Sequence, residues 1–209
     1  MSGGQAGPAG GRSGDGSADD ARRPADGAGG EIGARDLRAV AAQLGRVPRA
    51  MRAIAHRCPC GLPAVVETSP RLADGTPFPT LYYLTCPRAS SAVGRLEAAG
   101  LMREMADRLR VDPELAARYR AAHDAYLARR AELDDVPETD GISAGGMPTR
   151  VKCLHALLAH SLAAGPGVNP LGDEALAMLD PWWERHPCSA DAPGEPGADR
   201  VPADAGSAP

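Results

Sequence analysis

The sequence predicts an α+β fold: a single, mostly helical domain with one β-hairpin packed on its C-terminal helices. Three observations predict it. Apolar residues recur at helical spacing in separate stretches from Leu37 to Leu162. Between Pro63 and Cys86 the pattern changes to β-branched and aromatic runs about the turn dipeptide Asp74-Gly75. Both ends of the 209-residue chain are nearly free of large apolar side chains, which confines the core to the middle.

Residues 1–33 and 186–209 are rich in Gly, Ala, Ser, Asp and Pro. They cannot bury enough surface to offset the entropy of ordering, so they are expected as disordered tails around one folded domain over 34–185. Within it, Leu37, Val40, Ala41 and Leu44 mark an amphipathic helix that Gly45 is placed to stop. Arg46 to Arg57 interleaves basic with small apolar residues; it is expected as an exposed connector rather than a phosphate-contacting arm. Ala64–Thr68 and Phe78–Thr85 are the hairpin strands, with Pro77 and Pro79 at the start or on an edge because they cannot donate to a ladder.

Val93, Leu96, Leu101, Met105 and Leu109 then form an apolar helical face interrupted at Gly100. Asp112-Pro113-Glu114 opens a further helix, with Asp as N-cap and Pro at the first position; its core stripe is Leu115, Tyr119, Ala122 and Tyr126, and His123 is expected at the surface. The acidic loop Asp134–Asp140 and the segment Gly141–Pro148 lead to the helix Val151–His160, the element around which the rest is expected to be arranged. Its stripe is Val151, Leu154, Leu158 and Leu162, bordered by His155. Cys153 and His160 fall on the opposite side, two turns apart, and a regular helix would keep Cys153 and His155 from chelating together. The turn-rich loop Gly165–Gly172 and the pair Trp182-Trp183 end the domain, the tryptophans either capping the core or offering an aromatic anchor to a protein partner.

Net charge is −4, yet the stretch from Arg35 to Arg130 is locally basic. Such asymmetry permits an anionic ligand. Nucleic acid is disfavoured as a partner, because only 3% of residues are aromatic and stacking platforms are scarce. No stretch approaches the roughly 20 apolar residues of a membrane span, and the N-terminus lacks the apolar core of a secretory signal, so a cytoplasmic location without membrane contact is expected. In that setting the five cysteines read as reduced thiols, suited to metal binding or redox chemistry.

Antiparallel pairing in the hairpin places the residues before its first strand beside those after its second, so Cys58, Cys60 and Cys86 are expected to converge. Cys153 is the fourth ligand expected, making a closed tetrahedral zinc site with His56 and His155 in reserve. Cys58-Pro59-Cys60-Gly61 is a zinc-knuckle pattern shortened by one residue, and Cys188 is assigned to the tail. Three other readings use the same residues: free buried thiols, a Cys58/Cys60 redox pair, and an iron–sulfur cluster. A separate reading takes Gly145, Gly146, Thr149, Arg150 and Lys152 as a phosphate or polyanion site at a helix N-terminus. Lys152 is the only lysine among 23 Lys and Arg residues, so an ammonium beside Cys153 is either wanted there or merely solvated.

The runs Ala55–Pro63, Asp74–Pro87 and Met147–His155 resemble the bacterial family called domain of unknown function 501, with similarity over about Arg46 to Trp183. The resemblance implies no reaction. Genes of that family commonly lie near those for a septum-formation-initiator coiled-coil protein, enolase and an exopolyphosphatase, which associates it with cell division; this chain has no sustained heptads of its own.

Overall fold

The computed structural model describes residues 32–184 and Cys188. The expected tails otherwise lie outside the described residues. A three-stranded antiparallel sheet in the order β1-β2-β3 is formed by β1 (Met51–Arg57), β2 (Pro63–Thr68) and β3 (Tyr82–Leu84). Among the described residues six α-helices accompany it: α1 (Ala34–Leu44), α2 (Pro87–Ala98), α3 (Leu101–Val111), α4 (Pro113–Ala131), α5 (Leu154–Ala164) and α6 (Pro170–Ala177). The fold is α+β, and α5 is its centre, packed on β3, α6, α2 and β1.

The helix boundaries follow local chemistry. Gly45 closes α1 in the left-handed region, its amide donating to the Ala41 carbonyl. Asp112 caps α4 through its carboxylate, which accepts from the Leu115 amide at 2.9 Å. The stripe Leu115, Tyr119, Ala122 and Tyr126 is buried as its spacing requires, but His123 is buried too, its Nδ1 lying 2.8 Å from Ser143 Oγ.

Two expectations fail instructively. Arg46–Arg57 is no mere connector: its second half is β1, an edge strand paired with β2 through a bulged register. Periodicity hides it because the bulges break strict alternation. The exposed Arg52 and Arg57 stand on its free edge, where charge discourages pairing with another chain. The hairpin consequently supplies two strands of a three-stranded sheet whose middle strand, β2, is buried along its whole length. Buried Glu67 on that strand accepts two hydrogen bonds from Arg129, Nε at 2.8 Å and Nη2 at 3.1 Å, which ties α4 to the sheet.

The second failure concerns the organising helix, which begins at Leu154 and not at Val151. Before it the chain closes a loop: the Arg150 amide donates to the Gly146 carbonyl at 2.9 Å and the Lys152 amide to Gly145 at 2.7 Å. Gly145 and Gly146 both have positive φ, and Cys153 is extended at the N-cap. Cys153 therefore leaves the helical wheel on which its position was reckoned. His160 is likewise not on an open face; it is 1% exposed, stacked on Tyr82 with centroids 5.8 Å apart and edge-on to Tyr126 at 5.3 Å.

Burial holds His160 neutral, with its pKa pushed down to about 4, against a weaker opposing pull from Asp173. The unfolded chain, titrating near 6.5, takes up that proton first. The stability due to a neutral His160 is therefore complete above about pH 6.5 and is lost as pH falls toward 4, a loss of about 3 kcal/mol. His160→Phe keeps a ring in the stack and removes the proton. Urea midpoints measured between pH 6.5 and 4 should fall less steeply for this variant than for wild type; parallel slopes would exclude His160 as the source.

Candidate functional site

The β1–β2 turn carries Cys58 and Cys60. The Cys58 amide donates to the Leu62 carbonyl at 2.9 Å and the Gly61 amide to Cys58 at 2.8 Å, so the turn is tight, and Gly61 supplies the positive φ it needs. Across the sheet β3 runs back alongside β2, with Val65 opposite Leu84, and delivers Cys86 to the same end as the N-cap of α2. The fourth thiol there is Cys188. Its Sγ lies 3.4 Å from Cys58 Sγ, and the sulfurs of Cys58, Cys60 and Cys188 are all within 4.8 Å of one another. Cys86 is near enough to Cys58 and Cys188 to influence both, but its sulfur stands outside that set of mutually close thiols.

Antiparallel pairing thus brings Cys58 and Cys86 to one end of the sheet, but the thiol that joins Cys58 and Cys60 in the close set is Cys188, not Cys86. Cys153 groups instead with His155 and Glu97. His56 faces the Leu162 backbone on α5 and His155 belongs to the Cys153 group, so neither reserve histidine stands in the cluster. Cys188 escaped the sequence reading because composition assigned it to a tail. The available signal was its position just after Trp182 and Trp183, which pack on the core.

The cluster thiols share protons unequally. Contact with Cys58 and the first-turn amides of Ala89 and Arg88 draw Cys86 down to about 6, against burial. The same contact with Cys86, together with burial, pushes Cys58 up. Burial, then Cys86, pushes Cys188 up to about 12. Cys60 is lowered: burial opposes, and the Leu62 and Cys188 amides outweigh it.

At the start of α5 the carboxylate of Glu97, from α2, accepts from the Leu154 amide at 2.7 Å. That carboxylate occupies the helix N-terminus where an anion was expected. Thr149, Arg150 and Lys152 are exposed, and the glycines serve close packing. A Cβ on Gly146 would meet the Arg150 carbonyl carbon at 3.0 Å, and one on Gly145 would strike Leu157. The two tryptophans cross edge-to-face with centroids 4.7 Å apart and lie half-buried against the core. No described helix is long and apolar enough to cross a membrane.

These features define a class, an α+β domain whose sheet end and C-terminal segment meet in a cluster of free cysteines. Residues 54–177 match the family described as Protein of unknown function (DUF501), and the chain belongs to that family. No curated protein and no solved structure matches it.

Proposed function

We propose that Cys58, Cys60, Cys86 and Cys188 bind one zinc ion that is structural. The arrangement of sulfurs carries this reading. Zinc–sulfur bonds of about 2.3 Å in a tetrahedron set the sulfurs about 3.8 Å apart. The 3.4 Å between Cys58 and Cys188, and the spread of no more than 4.8 Å that includes Cys60, need only small shifts to meet it, and Cys86, outside that set, has to draw in to complete the tetrahedron. Four protein thiolates leave no open position for substrate, so the ion's role is to hold the fold together. It joins the β1–β2 turn, the start of α2 and a cysteine 130 positions beyond Cys58. Closing so long a loop is where a cross-link restricts the unfolded chain most.

Metal analysis of untagged protein purified anaerobically with a phosphine reductant tests the proposal. One zinc per chain is expected, absent from Cys188→Ser and retained by Cys153→Ser, whose stability should change by about 1 kcal/mol or less. Iron with visible absorption would replace zinc by an iron–sulfur cluster. Zinc-free wild type with a Cys58–Cys60 or Cys58–Cys188 disulfide would reject metal binding in favour of a redox pair.

A further inference from the structure

Outside the cysteine cluster, one set of chemically active groups has no structural duty that explains all of it. Cys153 Sγ, His155 Nδ1 and a Glu97 carboxylate oxygen lie within 4.8 Å of one another. Glu97 Oε1 is 3.1 Å from His155 Nδ1, and the Ser90 carbonyl oxygen is 3.1 Å from Nε2. A carbonyl oxygen only accepts, so Nε2 carries a hydrogen. An ionised carboxylate also only accepts, so Nδ1 carries one as well. An imidazole protonated on both nitrogens is a cation.

A fixed cation beside a thiol favours the thiolate. His155 lowers Cys153 most, burial opposes, and the first-turn amide of Ala156 adds to the lowering. Reciprocally, Cys153 first and Glu97 after it raise His155 to about 9, against its partial burial. The charged groups acting on Cys153 are thus His155 from its own helix and Glu97 from α2. The sheet and α6 aim their titratable groups elsewhere on α5, His56 at the Leu162 backbone and Asp173 at His160. Glu97 is fixed by capping Leu154, so the imidazolium is held by an anchored partner. Cys153 itself is only half-buried, within reach of a small reagent.

We propose that Cys153 is a nucleophilic thiolate, paired with an imidazolium His155 that Glu97 and Ser90 hold in place, and that it accepts small disulfides. In that step the Cys153 sulfur attacks one sulfur of R–S–S–R. The reagent's S–S bond breaks as the Cys153–S–S–R bond forms, and the second sulfur leaves as a thiolate that takes a proton from His155 or water. The disulfide is the oxidant and is half reduced; Cys153 is oxidised to the mixed disulfide. This site is independent of the zinc proposal, since its residues belong to the other group.

The test is the rate of Cys153 alkylation by iodoacetamide from pH 5.5 to 9, read peptide by peptide by mass spectrometry on native, metal-loaded protein. The rate should level off at a pH below the roughly 8.5 of an ordinary thiol. His155→Asn should move the profile up toward that value and slow Cys153 alkylation at pH 6.5 by about fivefold or more, a fall limited by the greater intrinsic nucleophilicity of a more basic thiolate. Hydroxyethyl disulfide should add one mercaptoethanol unit at Cys153 in wild type. If His155→Asn does not fold, the wild-type profile decides alone. An inflection at or above pH 8.5, an unchanged rate in a folded His155→Asn, no mixed disulfide at Cys153, or a second metal ion lost from Cys153→Ala would overturn the proposal.

Discussion

If the proposed zinc site exists, Cys86→Ser is expected to release its ion and to cost on the order of 5 kcal/mol of stability, because the binding energy of a metal that the unfolded chain cannot organise is folding energy. Cys86 is fully buried at the junction of β3 and α2. Its removal therefore takes one sulfur from the proposed metal site and leaves a buried hydroxyl without a partner. Urea unfolding with and without a chelator separates the two contributions. Chelator should bring wild type down most of the way to the variant and leave the variant almost unmoved. A variant that unfolds at the wild-type midpoint and still holds one equivalent of zinc would remove Cys86 from the ligand set.

The other large effect comes from a single methyl group. Gly172 lies in α6 where that helix crosses α5. A Cβ there would overlap the Leu157 carbonyl oxygen and Ser161 Oγ and come within 2.8 Å of the Leu157 carbonyl carbon. The obstruction is mostly backbone, which cannot rotate aside, so Gly172→Ala must force the helices apart at the centre of the core. A loss of about 3 kcal/mol is expected despite alanine's better helix propensity. Gly94 gives the control: it also lies within a helix, α2, but a Cβ there has nothing within 4 Å. Gly94→Ala should stabilise by about 0.5–1 kcal/mol. Equal effects from the two substitutions, measured by thermal or urea unfolding, would show that helix propensity rather than the α5–α6 contact sets the response.

The same contrast marks how far the sequence could be read. Elements whose ends are fixed by neighbouring residues were legible: Gly45 ends α1, and Asp112-Pro113 begins α4. The arrival of Cys86 at the end of the sheet that carries Cys58 was legible too, since it follows from antiparallel pairing of β2 and β3. β1 was not, because its bulges erase the period-two signal and its pairing partner alone makes it a strand. Nor was the start of α5, where Val151–Cys153 has helical spacing but a loop closed on Gly145 and Gly146 keeps those residues out of the helix.

What the sequence by itself determined was the α+β class, most helix positions and one end of a thiol cluster, all consequences of patterns spanning a few residues or one hairpin. Only the tertiary structure decided which distant groups share a site. Composition made Cys188 a tail residue, whereas packing sets it 3.4 Å from Cys58. Helical geometry separated Cys153 from His155, whereas the N-cap turn, fastened by Glu97 from another helix, joins them. The physical reason is common to both cases. Periodicity records which face of an element is apolar, but the partner of a polar or thiol group is chosen by how elements dock, and that depends on the whole core at once.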